Sequence, residues 1–131
     1  MSVYPHGDYT DVPTRPGIRA RSLIGPKHGI TDFFLHEGWL EEGAAIPLHT
    51  HRVDEVLIVA EGALTVEAGG ETQLVPGGNT VVIPPETPHR LSNHGPAAVH
   101  MLAAAAWNHA TFLSRGHALP RGHAARTALV C

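Results

Sequence analysis

The stretch Gly43-Ala-Ala-Ile-Pro-Leu-His49-Thr-His51-Arg-Val-Asp-Glu55-Val-Leu-Ile-Val-Ala-Glu-Gly62 decides how this chain is read. On a strand, side chains two residues apart share a face, so His49 and His51 turn their imidazoles the same way. Arg52-Val53-Asp54 reads as a turn, after which Glu55 brings a carboxylate from the start of the next strand to the side of the two rings. A second stretch, Gly78-Asn-Thr-Val-Val-Ile-Pro84-Pro-Glu-Thr-Pro-His89-Arg-Leu-Ser-Asn93, places His89 where a strand resumes after a proline-stiffened turn. It is the natural third nitrogen. Three imidazoles and one carboxylate suit one divalent transition metal ion, Fe, Mn, Ni, Co, Cu or Zn, and suit Ca or Mg poorly. Ligand type alone does not choose among the six.

Histidine itself is abundant, with 11 in the chain. At that frequency roughly one His-x-His arises by chance, so the motif counts only through its spacing to other residues.

Working outward, short apolar runs bounded by Gly, Pro and Asn read as strands. They fall near 18–24, 31–40, 46–51, 55–61, 63–68, 71–75, 80–83, 89–93 and 98–106. Gly69-Gly70 supplies the positive φ angles of a two-residue hairpin, and Glu61-Gly62 reads as a second turn. The sequence therefore predicts an antiparallel meander of the three strands around these turns. Ala103 to Ala106 conflicts locally with a strand, because alanine is the best helix former. Leu48, Val53, Leu57, Val59, Val66, Val81 and Ile83 are core candidates, as are the aromatics Phe33, Phe34, Trp39 and Trp107.

With 131 residues, a single domain is expected. Residues 1–17 read as a proline-rich extended arm, 18–107 as the barrel and 108–131 as a tail, in which Arg115-Gly116-His117-Ala118 recurs as Arg121-Gly122-His123-Ala124. A net charge of −3 with 16% charged residues gives no basic field for nucleic acid or an anionic membrane, so the expected partner is a small-molecule substrate. The single cysteine, Cys131, asks for no oxidising compartment. The N-terminus lacks a secretory pattern, and the longest mainly apolar run, 97–107, is too short for a bilayer. A cytoplasmic protein is the expectation.

Taken together, the two stretches resemble the cupin superfamily. Its first motif, Gly-x5-His-x-His-x3/4-Glu-x6-Gly, is filled by Gly43, His49, His51, Glu55 and Gly62. Its second, Gly-x5-Pro-x-Gly-x2-His-x3-Asn, is filled by Gly78, Pro84, His89 and Asn93. Glu86 stands where the family usually has a glycine, which questions the local backbone, since glycine there allows positive φ. The resemblance implies an all-β double-stranded β-helix, or jelly roll, with the ion held by His49, His51, Glu55 and His89 inside the barrel toward one mouth. It also implies a homodimer, to which the arm would lend an edge strand.

Beyond the four ligands, Glu86 is a candidate acid/base or substrate-orienting group. His36 and His100, on strands, are candidates to line the barrel, and Arg90, next to His89, belongs on the opposite face. Four ligands leave two open positions on an octahedral ion, the mark of a catalytic site. The expected function is a metal-dependent enzyme on a small organic molecule. Dioxygenase chemistry is placed first, because the resemblance implies it. The alternatives are a Lewis-acid isomerase, cyclase or lyase, and a non-catalytic metal-assisted binding cupin.

Overall fold

A computed structural model describes residues 1–106, 112–114 and 117–118 of the chain. The strands are β1 (Thr10–Asp11), β2 (Ile18–Ile24), β3 (Phe33–Leu40), β4 (Ala45–His51), β5 (Glu55–Glu61), β6 (Ala63–Ala68), β7 (Glu71–Pro76), β8 (Asn79–Ile83), β9 (His89–Ser92), β10 (Val99–Ala106), β11 (Phe112–Ser114) and β12 (His117–Ala118). A single 3-10 turn, Pro26–His28, is the only helical element among the described residues. The strands form two six-stranded sheets, in the orders β1-β2-β3-β10-β5-β8 and β12-β11-β4-β9-β6-β7. Every strand pairing is antiparallel. The all-β jelly roll is the architecture found.

Alternation along the strands builds the core. Leu57 and Val59 of β5, Leu64 and Val66 of β6, Leu91 of β9 and Val99 and Met101 of β10 turn inward between the sheets. Burying a side chain as large as Leu57 or Leu91 stabilises the fold by about 2 kcal/mol. The alanine run is strand after all. β10 is bonded on both sides, by β3 and β5, and that pairing overrides a helical preference worth only tenths of a kcal/mol per residue. Its inward alanines are also the right size: Ala103 lies between His36 and Leu57, and Ala105 between Phe34 and Glu55.

Several expectations are corrected. Leu48 is 52% exposed, because it alternates with the inward His49 and cannot share its face. Phe33 faces out for the same reason, opposite in sense to the fully buried Phe34. Val53, in the turn, is only half-buried. Trp39 is half-buried on the outer face of the first sheet, and Trp107 lies outside the described residues.

The three-strand meander is only half present. β6 and β7 do form a hairpin, with Gly69 at φ 57° and Gly70 at φ 82°. β5 does not pair with β6; its neighbours are β10 and β8. The chain changes sheets at Gly62, which adopts φ 79° and packs so tightly that a Cβ there would meet the Ala98 carbonyl oxygen at 2.5 Å. The turn is a corner between sheets, tied by the Gly77 N–H to Gly62 O at 2.8 Å.

At the ends of the chain, β1 places the arm along β2 at the edge of the first sheet. Within the segment read as a tail, β11 pairs with β4, setting Phe112 opposite His51 and Leu113 opposite Thr50.

Candidate metal centre

β4, β5 and β9 bring the four expected ligands together. His49 and His51 come from the end of β4, Glu55 from the start of β5 and His89 from the start of β9, directly opposite His49 in the register. One ligand atom from each lies within 4.8 Å of all the others. The His49 ring centroid is 4.1 Å from that of His89 and 4.7 Å from that of His51. Glu55 reaches both remaining rings, with Oε2 at 3.2 Å from His51 Nε2 and Oε1 at 3.2 Å from His89 Nε2. Donors about 2.1 Å from one ion at right angles stand about 3 Å apart, so the two 3.2 Å separations around Glu55 match a shared ion. Glu55 and His89 are fully buried, while His49, at 9% exposure, stands toward the opening.

The ring orientations are set by backbone. His49 Nδ1 lies 2.7 Å from Pro47 O, and His89 Nδ1 lies 2.8 Å from Thr87 O. A carbonyl only accepts, so in each ring Nδ1 carries the hydrogen and the neutral form leaves a lone pair on Nε2. For His89 this has a consequence. Its Nε2 lone pair faces Glu55 Oε1, an atom with only lone pairs of its own, and it has no hydrogen-bond partner among the described residues. Two buried acceptors at 3.2 Å repel unless a proton or a metal ion lies between them. A metal ion fits that place, and the donor set fits a divalent transition metal.

Electrostatics agree. Burial, together with the neighbouring rings of His89 and His51, pushes His49 down from 6.5 to about 3, against the opposing pull of Pro47 O and Glu55. The ring is therefore neutral and able to coordinate near pH 7.

The other sequence candidates are dispersed. His36 does point inward, 5% exposed, with its ring 4.6 Å from Phe34. The register puts it opposite Ala103, which faces Leu57, so it sits two strands and about 10 Å from β5 on the same wall as Glu55. It is not part of the ligand cluster. His100 does not line the barrel. It faces outward from β10 and holds Glu37 Oε2 at 2.6 Å. Glu86 is exposed in the loop before His89, and it adopts the left-handed conformation itself, φ 59°. The positive φ that a glycine would allow here is thus adopted by a glutamate. The Glu86 N–H donates to His51 O at 2.7 Å, tying the loop to the ligand strand. Arg90 lies on the outer face as alternation required, 3.2 Å from Glu67.

Two structural residues stand out: Asn93, legible in the sequence only as a motif position, and Glu37, which the sequence did not single out. Asn93, fully buried, donates from Nδ2 to Leu40 O and Ala97 O, accepts at Oδ1 from the Gly95 N–H, and exchanges backbone bonds with Gly43 and Ala44. It clips the end of β9 to the start of β4. Glu37 on β3 is buried on the outer face of its sheet, where Arg21 Nε donates to it at 2.7 Å.

With fold and site established, comparison with known proteins places the chain. Residues 39–105, just over half of its length, match the cupin domain family, and the chain belongs to that family. No curated protein matches it by sequence. Among solved structures it is similar to KdgF from Halomonas sp., at 25% identity and TM-score 0.64, with 76% of this chain and 86% of that one covered. It also resembles the polyketide cyclase RemF from Streptomyces resistomycificus, at 24% identity and TM-score 0.66, with 79% and 78% covered. A recombinant oxalate oxidase shares the fold at 20% identity and TM-score 0.68, with 81% and 59% covered.

Proposed function

We propose that this cupin is a metal-dependent enzyme acting on a small organic molecule, with dioxygenase-type chemistry. The observation that carries the reading is the buried pair of His89 Nε2 and Glu55 Oε1, lone pair to lone pair, inside a ring completed by His49 and His51. His49, His51, Glu55 and His89 would hold the ion. A redox ion held there would supply electron-transfer chemistry between an enol, catechol-like or thiol substrate and dioxygen, and a Lewis-acid ion would supply polarisation of a carbonyl instead. The chain's own contribution is orientation. Pro47 O and Thr87 O fix two ring tautomers, and burial keeps the His49 ring neutral.

Elemental analysis of protein purified without chelator or affinity tag, followed by oxygen-electrode measurements with enol-, catechol- and thiol-bearing compounds, tests this. Iron with substrate-dependent O2 uptake is the expected result. Zinc with no uptake sinks the oxygenase reading and hands the site to Lewis-acid chemistry.

A further inference from the structure

Beside the metal centre, where the edge strands β7 and β8 of the two sheets part, lies a groove of about 410 Å3. Its floor is apolar, made by Val66, Val75, Val81 and Ile83, and its rim carries Glu71, Gln73 and Thr87. Strand register connects it to the ligands. Ala68, at its inner end, is the cross-strand partner of His89 on one side and of Glu71 on the other. Ile83 is the cross-strand partner of Glu55. Thr87, on the rim, is the residue whose carbonyl holds the His89 ring. Directly paired residues point to the same face, so His89, Ala68 and Glu71 form one row across three strands, and Glu71 stands about 10 Å from the His89 backbone. Within that row the only side chain between ligand and rim is the methyl of Ala68.

We propose that this groove is a substrate subsite of the metal centre, occupied by the apolar body of a small molecule whose far end carries an amine or hydroxyl donor. The proposal rests on the metal-enzyme reading above. The Val66–Ile83 floor excludes water from an aliphatic or aromatic segment, which is what such pockets offer most ligands. Glu71 selects the end group. One of its oxygens accepts from Gln73 Nε2 at 2.8 Å, which steadies the carboxylate, and its remaining lone pairs accept from a donor but repel an anion. Glu71 is thus a specificity-determining residue for the end of the substrate remote from the ion.

The test is a backbone-amide NMR titration of the full chain with 4-phenylbutylamine, 4-phenylbutan-1-ol and 4-phenylbutanoate, on protein stripped with chelator and on protein loaded with Mn(II). The amine and the alcohol are expected to move the amides of Ala68, Gly69, Glu71 and Gln73 in the stripped protein, with the carboxylate weakest. Glu71→Gln lowers amine affinity about three-fold, the scale of an exposed charge contact, and leaves the alcohol nearly unchanged. Ala68→Leu, which fills the inner end, abolishes all three responses. With Mn(II) bound, the protons of the amine probe should relax strongly. Equal affinity for the three probes, indifference to Glu71→Gln, or shifts confined to other faces overturns the groove assignment. Groove binding without relaxation from a bound Mn(II) overturns the link to the metal centre. Failure to bind Mn(II) at all, with the groove response intact, strikes the metal reading and not the groove.

Discussion

Two clusters in this chain place a buried glutamate beside histidine, and they end in opposite states. On the outer face of the first sheet, Glu37 meets Arg21 at 2.7 Å and His100 at 2.6 Å. Arg21 is in turn seated on the Tyr9 ring at 4.1 Å and donates to Gly7 O, while Trp39 stacks on His100 at 4.5 Å. Every partner there either donates or is covered, so the charge is answered within the chain. Inside the barrel Glu55 faces two imidazoles, and one of them, His89, has given its Nδ1 hydrogen to a backbone carbonyl and turns Nε2 toward the carboxylate. The outer cluster is finished by protein. The inner one has the donor set to hold a metal ion. A glutamate with a guanidinium is a fastening for the arm, whereas a glutamate facing imidazole lone pairs is a socket.

The largest expected difference is the response to metal. Removing the ion from the loaded protein with a chelator should lower Tm by about 10 °C, taking an ion held at about a hundred-fold over its Kd and the size of the domain. Glu55→Ala should bind metal at least about a hundred-fold more weakly and lose that Tm response, as differential scanning calorimetry with and without metal would read. If Glu37→Gln abolishes the metal response as fully as Glu55→Ala does, the contrast between the clusters is wrong.

Acid separates the two next. His49 has a lowered folded pKa, so between 6.5 and about 3 the unfolded chain takes up a proton that the folded one refuses. Stability of the metal-free protein should therefore fall as pH drops through that window, at up to about 1.4 kcal/mol per pH unit. Glu37 is lowered too; burial opposes its charge most, but His100, Arg21 and Tyr9 outweigh that. Its contribution is present above the ordinary carboxylate pKa of 4.5 and is lost only below it, as pH falls toward the folded value. Urea unfolding of the wild type, His49→Gln and Glu37→Gln from pH 7 to 3.5 should show the His49 variant flattened between 6.5 and 4.5. Glu37→Gln should be about 2 kcal/mol less stable at pH 7, because Arg21 and His100 lose a charged acceptor, with the difference closing below 4.5.

The smallest effect concerns the loop that links the socket to its strand. Glu86 holds φ 59°, a conformation that costs a side-chain-bearing residue about 1 kcal/mol relative to glycine. Glu86→Gly should raise stability by about that much, read as a rise in the urea midpoint, and leave metal affinity unchanged. A loss of metal affinity would show that the carboxylate itself serves the site.

What was legible in the sequence follows from how local each cause is. His49 and His51 share a face because of a two-residue period, and Gly69-Gly70 turns because both residues accept positive φ; neither needs knowledge of the rest of the chain. Glu37 was missed because its partners Arg21 and His100 lie 16 and 63 residues away, and nothing adjacent to it announces them. The Gly62 corner reads as a hairpin in the sequence because a glycine turn looks the same whether the next strand joins the same sheet or the opposite one. The Pro26–His28 turn had a readable signal in Pro26 flanked by Gly25 and Gly29, with Gly29 at φ 78° as the stop. Leu48 was legible and misread: the alternation that sent His49 inward already sent it out.

The Asn93 clip also bears on the order of events during folding. Its side chain closes onto Leu40, 53 residues earlier, and His89 meets His49 through the same pairing of β9 with β4. Such long-separated contacts form late, since the loop they close must be ordered before they repay it, and jelly rolls fold slowly on that account. His49, His51 and Glu55 lie close enough in sequence to catch an ion from a nascent chain, but the third nitrogen arrives only when the clip shuts. An ion taken up by this site would then be selected in two stages, a loose capture by three neighbouring ligands and a closure that adds the fourth.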